Sequence, residues 1–385
     1  MKTEHNIYFK NSNNMKNLRD QSVDMVVTSP PYPMIAMWDE MFFRQDKKIE
    51  AAIKRGRGPE AFELMHRRLD GVWKELYRVL TPGGIVCVNI GDAVRTMDSR
   101  FALYSSHARI QSFMQELGFS SLPAILWRKQ TNAPNKFMGS GMLPPGAYVT
   151  LEHEYILIFR KGDKKEFPSK EEKEKRRESA FFWEERNAWF SDVWMDLKGT
   201  TQNIFSDKTR GRSAAFPFEL PYRLINMFSV KQDLVLDPFA GLGTTMFAAM
   251  STGRNSAGFD IEKNFRDMID ENSQNVVEFA NNRVAERLEK HVAFVEERFK
   301  QKGPLKHVNQ HYQFPVVTNQ ETKLVIDRLK SVEKTGKDSF AVEYEKDEPR
   351  KFSYGRDGCD IPKLNFSKGK SPKKNVAKAS QMKLF

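Results

Sequence analysis

A glycine-containing turn lies directly between a predicted strand and a predicted helix, and it constrains the fold more than any other feature. Residues 237–245 have the sequence DPFAGLGTT and follow the apolar run at 234–236. Glycine adopts backbone angles that other residues avoid, so Gly241 and Gly243 permit a tight turn that a ligand can approach closely. Asp260 ends the next predicted strand, where a carboxylate can accept hydrogen bonds from both hydroxyls of a ribose.

This turn differs from phosphate-binding loops in two respects. It lacks the third glycine of the dinucleotide fingerprint and the lysine of a P-loop. The expected ligand is therefore a nucleoside without a phosphate chain. A turn that binds nothing is the alternative, and the strand, the helix and Asp260 in register argue against it.

Strands and helices alternate along most of the chain. Short apolar runs predict strands at 23–27, 85–90, 122–127, 154–159, 234–236 and 256–260. Apolar side chains three and four residues apart predict a helix over 60–80, and further helices are predicted at 101–117, at 217–228, from 244 onward and at 262–301. This alternation is typical of the α/β class with a mainly parallel sheet.

The alternation stops after residue 160. Residues 163–178 are a charge run, and Trp183, Trp189 and Trp194 follow in a polar, aromatic-rich stretch. These tryptophans suit either packing in a core or stacking on bases. We therefore predict four regions, which are a first α/β half at 1–160, an inserted module at 161–212, a second half at 213–300 and an extension at 301–385.

The charge balance indicates a polyanionic partner. The chain has 62 Lys and Arg residues against 50 Asp and Glu residues, a net charge of +12. Such a charge suits a nucleic acid, a membrane surface or a merely soluble surface. No run of about 18 apolar residues is present, and we therefore expect no transmembrane helix. The segment 350–385 has ten Lys and Arg against two Asp, and we expect it to be flexible.

The cysteines and histidines of the chain indicate which disulfide and metal sites it can form. Cys87 and Cys359 are the two cysteines, which excludes a disulfide scaffold and a Cys-rich zinc site and fits a reducing cytoplasm. His307 and His311 are four residues apart, but no Glu or Cys pattern accompanies them. We expect no metal site.

A second turn ends the first predicted strand. Residues 28–32 have the sequence TSPPY. Two consecutive prolines fix two φ angles and remove two N–H donors, which stiffens the turn. Ser29 offers a hydroxyl acceptor and Tyr32 a flat face, so the turn suits a planar group with an exocyclic amine. An ordinary Pro-Pro strand stop is the alternative.

Taken together, the two turns resemble a known family. The chain is similar to the β class of S-adenosylmethionine-dependent DNA amino-methyltransferases, in which the catalytic motif precedes the cofactor motif. Residues 28–32 match the catalytic motif, 237–245 the cofactor loop and 215–221 the stretch that caps the cofactor, while 78–84 and 152–159 are also similar. The resemblance covers about 5–275, and the order of the motifs is more specific than any one of them.

This resemblance implies a fold and a site. The fold is Rossmann-like, with a mostly parallel seven-stranded sheet in circularly permuted order, and the inserted module would hold the target-recognition region. The implied catalytic residues are Ser29, Pro30, Pro31 and Tyr32. The implied residues for S-adenosylmethionine are Thr28, Phe216, Pro217, Asp237, Phe239, Gly241, Gly243, Thr244 and Asp260.

The resemblance also implies the reaction, a methyl transfer to the exocyclic amine of a base flipped out of double-stranded DNA. In the family, serine before Pro-Pro-Tyr goes mostly with N4 of cytosine, while Asp or Asn there commonly goes with N6 of adenine, so both products stay open. Methylation at carbon 5 needs a cysteine nucleophile, and neither Cys87 nor Cys359 follows a proline at a strand end. A cognate restriction endonuclease is the implied functional partner. A non-catalytic nucleic-acid-binding protein is the remaining alternative.

Overall fold

The main sheet brings together strands that are far apart in sequence. The structure is a computed structural model that describes residues 1–129, 139–197 and 216–346. The strands are β1 (Lys2–Phe9), β2 (Val23–Thr28), β3 (Leu80–Ile90), β4 (Ala93–Met97), β5 (Arg100–Tyr104), β6 (Phe119–Arg128), β7 (His153–Lys161), β8 (Val193–Trp194), β9 (Leu234–Asp237), β10 (Asn255–Asp260), β11 (His307–Val308), β12 (Pro315–Val316), β13 (Asp327–Gly336) and β14 (Ser339–Lys346). The helices are α1 (Asp39–Gln45), α2 (Lys47–Lys54), α3 (Gly58–Val79), α4 (Ser106–Glu116), α5 (Lys170–Glu178), α6 (Trp183–Trp189), α7 (Glu219–Phe228), α8 (Thr244–Met250), α9 (Phe265–Ser273) and α10 (Val276–Lys302).

The strand order in this sheet is β13-β14-β1-β10-β9-β2-β3-β7-β6-β8. The five strands from β1 to β3 are parallel to one another, and β7 runs antiparallel to both of its neighbours. The seven strands from β1 to β6 in this order are the predicted mostly parallel sheet, which is confirmed. The β13–β14 hairpin extends one edge of it and the short strand β8 the other.

The permuted order is also confirmed. Strand β2 hydrogen-bonds to β9, about 200 residues later in the chain, with Met25 opposite Val235 and Val26 opposite Leu236. Because the carboxyl ends of parallel strands meet at one edge of a sheet, the Pro-Pro turn (residues 28–32) and the glycine turn (residues 237–245) become neighbours.

Both faces of the sheet are covered by helices. Side chains alternate between the faces of a strand, so Met25 and Val27 pack in the cluster with α7 and α8, while Val26 packs in the cluster with α3 and α4. A strand buried on both faces needs apolar residues at successive positions. This is why the run at 23–27 predicted a strand correctly.

Two predicted helices differ from the structure. The helix predicted at 101–117 begins at Ser106, because residues 100–104 form a hairpin with β4. The helix predicted at 262–301 is interrupted between α9 and α10. The polar residues 272–275 lie at this break, and the Ser273 hydroxyl donates to the Asp270 carbonyl at 2.7 Å. Such local bonds compete with helix continuation.

The described part of the predicted insertion, 161–197, contains α5, α6 and β8. Trp189 and Trp194 are buried, and the Trp194 Nε1 group donates to the Trp189 carbonyl at 3.0 Å. These two side chains therefore serve packing. Trp183 is 38% exposed.

The hairpin β13–β14 has no counterpart in the sequence predictions. Strand β14 pairs antiparallel with β1, and Phe340 and Val342 are buried in the core. The Tyr344 hydroxyl donates to the Met250 carbonyl at 2.7 Å, which joins the hairpin to α8. The extension thus contributes the hairpin β13–β14 to the main sheet, whereas β11 and β12 form a separate two-stranded sheet. The basic segment 350–385 lies outside the described residues.

Candidate active site

A cavity of about 820 Å³ lies at the carboxyl edge of the sheet, where the two turns meet. Its size is within the usual range for small-molecule sites. The predicted residues that line it are Ser29, Pro30, Pro31, Tyr32, Phe216, Asp237, Phe239, Gly241, Thr244 and Asp260. Thr28, Pro217 and Gly243 belong to the same segments but do not line the cavity.

The glycine turn has the backbone that its sequence predicts. Gly241 has φ +52° and Gly243 has φ +80°, both in the left-handed region that strains other residues. The Gly241 amide donates to Asp260 Oδ2 at 2.8 Å. The end of β10 is thereby fixed against the turn.

Asp237 joins the two turns. Its carboxylate accepts hydrogen bonds from the Thr28 and Thr245 hydroxyls, both at 2.6 Å, and from the Phe239 amide at 3.0 Å. Burial raises the pKa of Asp237 to about 6, although the bonds from Thr245 and Thr28 favour the charged form. Thr28 therefore connects β2 to β9 from behind the cavity wall.

Asp260 and Thr244 have hydrogen-bonding capacity that the described residues leave unused. Asp260 Oδ1 accepts from the Glu262 amide at 2.8 Å, so each carboxylate oxygen has one backbone donor and keeps a further lone pair. Burial raises the pKa of this carboxyl, and hydrogen bonds from nearby backbone amides oppose the shift. The buried Thr244 hydroxyl has no hydrogen-bond partner within the described residues. A ligand with ribose hydroxyls and a polar end fits this wall.

The Pro-Pro turn carries a hydrogen-bond network. The Ser29 hydroxyl donates to the Tyr32 hydroxyl at 3.2 Å, and the Tyr32 hydroxyl donates to Glu154 Oε2 at 2.8 Å. Asn89 Nδ2 donates to the Tyr32 oxygen at 2.8 Å and to Glu154 Oε2 at 2.7 Å. Burial raises the pKa of the Tyr32 hydroxyl well above its usual range, and the Glu154 charge raises it further. Tyr32 is therefore a neutral phenol.

Sequence reasoning missed Glu154 and Asn89. A signal was present in each case, since Glu154 directly precedes the apolar run of strand β7 and Asn89 interrupts the apolar strand β3. It also missed two groups of cavity-lining residues, one in the loop after β1 and one around α1. These residues are Lys10, Asn11, Ser12, Asn13, Met37, Trp38, Met41 and Arg44.

Cys87 lies in the core and not at the cavity. It is fully buried in the middle of β3, and burial strongly raises the pKa of its thiol. A thiol held neutral in this way is a poor nucleophile. Cys359 lies outside the described residues.

Comparison with known proteins shows which family this chain belongs to. A family model described as DNA methylase, for the N6 and N4 methyltransferases, matches residues 23–271. The chain belongs to the DNA methylase family. The match includes both turns, and the family resemblance drawn from the sequence is confirmed.

Two curated relatives of this DNA methylase are named as Type II methyltransferases. The Type II methyltransferase M.MthZI of Methanothermobacter thermautotrophicus is 48% identical over 352 residues, which cover 91% of this chain and 98% of the relative. The Type II methyltransferase M.MjaI of Methanocaldococcus jannaschii is 46% identical over 280 residues, which cover 70% of this chain and 91% of the relative.

A solved structure has a similar fold. It is a protein of Thermus thermophilus named as a DNA modification methylase, in complex with S-adenosyl-L-methionine. Its TM-score is 0.55 at 30% identity, and the match covers 71% of this chain and 96% of that one. None of the helices described here is both long and apolar enough to span a membrane.

Proposed function

We propose that this DNA methylase transfers a methyl group from S-adenosylmethionine to N4 of a cytosine flipped out of double-stranded DNA. The observation that carries the proposal is that the Pro-Pro turn and the glycine turn line one cavity. The names of its relatives support a place in a restriction–modification system, with a cognate endonuclease as the functional partner.

The glycine turn holds the cofactor. When bound, S-adenosylmethionine supplies a methyl group on a positively charged sulfur. Asp260 would accept hydrogen bonds from the ribose hydroxyls, the Thr244 hydroxyl would pair with a polar group of the cofactor, and Phe216 would cover the bound molecule. The face of Tyr32 would favour the positive charge of the sulfonium, and such a cation–π contact would contribute about 0.5–2 kcal/mol.

The Pro-Pro turn prepares the target amine. Its nitrogen lone pair is delocalised into the base ring, so the amine is a weak nucleophile. The Ser29 oxygen and the Pro30 carbonyl accept the two N–H groups and favour a tetrahedral nitrogen, while Tyr32 stacks on the base. As the nitrogen bonds to the methyl carbon, the sulfur–methyl bond would break and its electron pair would stay on the sulfur of the departing thioether. The methylated amine would then lose one proton to water. Much of the rate comes from alignment of the reacting atoms.

DNA binding must offset the extrusion of the base, which costs a few kcal/mol. Phosphate contacts by Lys and Arg supply this free energy, in keeping with the net charge of +12. The segment 350–385 remains a candidate for such contacts, and the inserted module remains the candidate for target recognition.

The product identifies the reaction. The enzyme and methyl-labelled S-adenosylmethionine are incubated with long, unmethylated duplex DNA of mixed sequence, and the nucleosides are analysed by mass spectrometry. We expect label in N4-methylcytosine, from the wild type and equally from Cys87→Ala. Label in N6-methyladenine would show that the target base is adenine and not cytosine. Label in 5-methylcytosine would overturn direct transfer to an amine. No label would favour a non-catalytic binding protein.

Replacing Asp260 with alanine is expected to weaken S-adenosylmethionine binding by about 1.5–3 kcal/mol, the range for hydrogen bonds to a charged group. Titration calorimetry measures the affinity, and thermal unfolding shows whether the variant is folded. Asp267→Ala is the matched control, because Asp267 is exposed and does not line the cavity. Wild-type affinity in folded Asp260→Ala would remove Asp260 from the cofactor site.

A further inference from the structure

Glu154 has no role in the mechanism above, although it is a buried carboxylate on the cavity wall, only 8% exposed. We propose that Glu154 is a positioning residue that sets the direction of the hydrogen bonds in the Pro-Pro turn, so that Ser29 presents a lone pair to the target amine. The inference rests on the proposed amino-methylation and adds to it a residue that positions Ser29 for the reaction.

Glu154 is an acceptor in this network. Lys129 Nζ lies 2.7 Å from Glu154 Oε1, and this ion pair marks the group as a carboxylate. A carboxylate accepts hydrogen bonds and donates none. The Tyr32 hydroxyl, 2.8 Å from Glu154 Oε2, must therefore direct its proton to Glu154.

Asn89 reinforces this direction. Its Nδ2 group lies between the Tyr32 oxygen and Glu154 Oε2, at 2.8 and 2.7 Å. Turning the amide over would place Asn89 Oδ1 against the carboxylate, and two acceptors would repel each other. Asn89 therefore donates to both groups, and the Tyr32 oxygen is left as an acceptor.

The direction of the Tyr32 hydrogen bonds also fixes where the Ser29 hydroxyl points its hydrogen. This hydroxyl has one hydrogen and two lone pairs. Because the Tyr32 oxygen accepts, the Ser29 hydrogen points to Tyr32 at 3.2 Å. One Ser29 lone pair faces Asn89 Nδ2 at 3.5 Å, and the other remains for the amine. The opposite direction would present the Ser29 hydrogen to the amine. A hydrogen bond to the nitrogen lone pair would block the attack on the methyl group.

Glu154→Gln tests this inference because it keeps the shape of the side chain. It also gives position 154 an amide donor that can reverse the direction of the hydrogen bonds from Tyr32 to Ser29. We expect kcat to fall on the order of 100-fold, the effect of a misplaced reacting group, with cofactor affinity and thermal unfolding near wild type. Glu152→Gln is the matched control. Glu152 pairs with Arg128 at 3.2 Å, is about half exposed and does not line the cavity, so kcat should not change.

Tyr32→Phe is the second variant, since it removes the hydroxyl that links Glu154 to Ser29 and leaves the Glu154–Lys129 pair intact. We expect it to lower kcat as well. Adding Glu154→Gln to Tyr32→Phe should then lower kcat little further, because Glu154 sets the direction of the Ser29 hydrogen bond through the Tyr32 hydroxyl. If the fold-loss of kcat in the double variant instead equalled the product of the two single losses, Glu154 would act by another route.

The remaining outcomes are distinct. Wild-type kcat in either Glu154→Gln or Tyr32→Phe would overturn the inference, even if the other variant failed to fold. Label in adenine would correct the proposed base and leave the ratio of variant to wild type as valid a test as before. No label from the wild-type enzyme would overturn the proposed function, and the inference with it.

Discussion

Replacing Ser29 with alanine is expected to lower kcat on the order of 10²- to 10³-fold, the effect of removing one preorganised polar partner of a reacting group. Cofactor affinity should stay close to wild type. The Ser29 hydroxyl contacts Tyr32 and Asn89, whereas the cofactor wall is built from the glycine turn and Asp260. Rates of label transfer at saturating DNA and cofactor give kcat, and calorimetry gives the cofactor affinity.

Ser112→Ala is the control for this substitution, because Ser112 is exposed on α4 and does not line the cavity. Its kcat should equal that of the wild type. If Ser29→Ala kept kcat within about threefold, the hydroxyl would not act on the amine in the transition state. A loss confined to cofactor affinity would reassign Ser29 to the cofactor.

Replacing Arg287 with alanine is expected to lower the free energy of unfolding by about 3–5 kcal/mol, as is usual when one partner of a buried ion pair is removed. Arg287 on α10 donates to both oxygens of Glu185 on α6, at 2.6 and 2.7 Å, and to the Tyr222 hydroxyl at 3.1 Å. Both charged side chains are nearly inaccessible to solvent. Alanine would leave the Glu185 carboxylate buried without this partner. Urea unfolding measures the difference.

Two further variants separate the ion pair from simple packing. Arg186→Ala, at an exposed position of α6, should change stability by less than about 0.5 kcal/mol. The double variant Glu185→Leu/Arg287→Met should recover most of the loss, because apolar side chains of similar volume can replace a buried pair. A loss below about 1 kcal/mol in Arg287→Ala would show that α6 does not depend on this contact.

The sequence by itself determined the features that depend on a few neighbouring residues. Gly241 and Gly243 are needed because the turn uses left-handed backbone, which is a local requirement. The tandem prolines stiffen the Pro-Pro turn for an equally local reason. Strand β2 is apolar at successive positions because both of its faces are buried. These local requirements were sufficient to predict the α/β sheet, and together with the order of the motifs they indicated the family.

Only the tertiary structure decided which distant groups meet the Pro-Pro turn. Glu154 and Asn89 reach Tyr32 because β7 pairs antiparallel with β3 in a register that places Asn89 opposite Ile156. The hairpin β13–β14 joins the sheet because β1 offers it an open edge. Register and edge pairing are fixed by burial and hydrogen bonding over the whole chain, whereas sequence patterns report only preferences within a few residues.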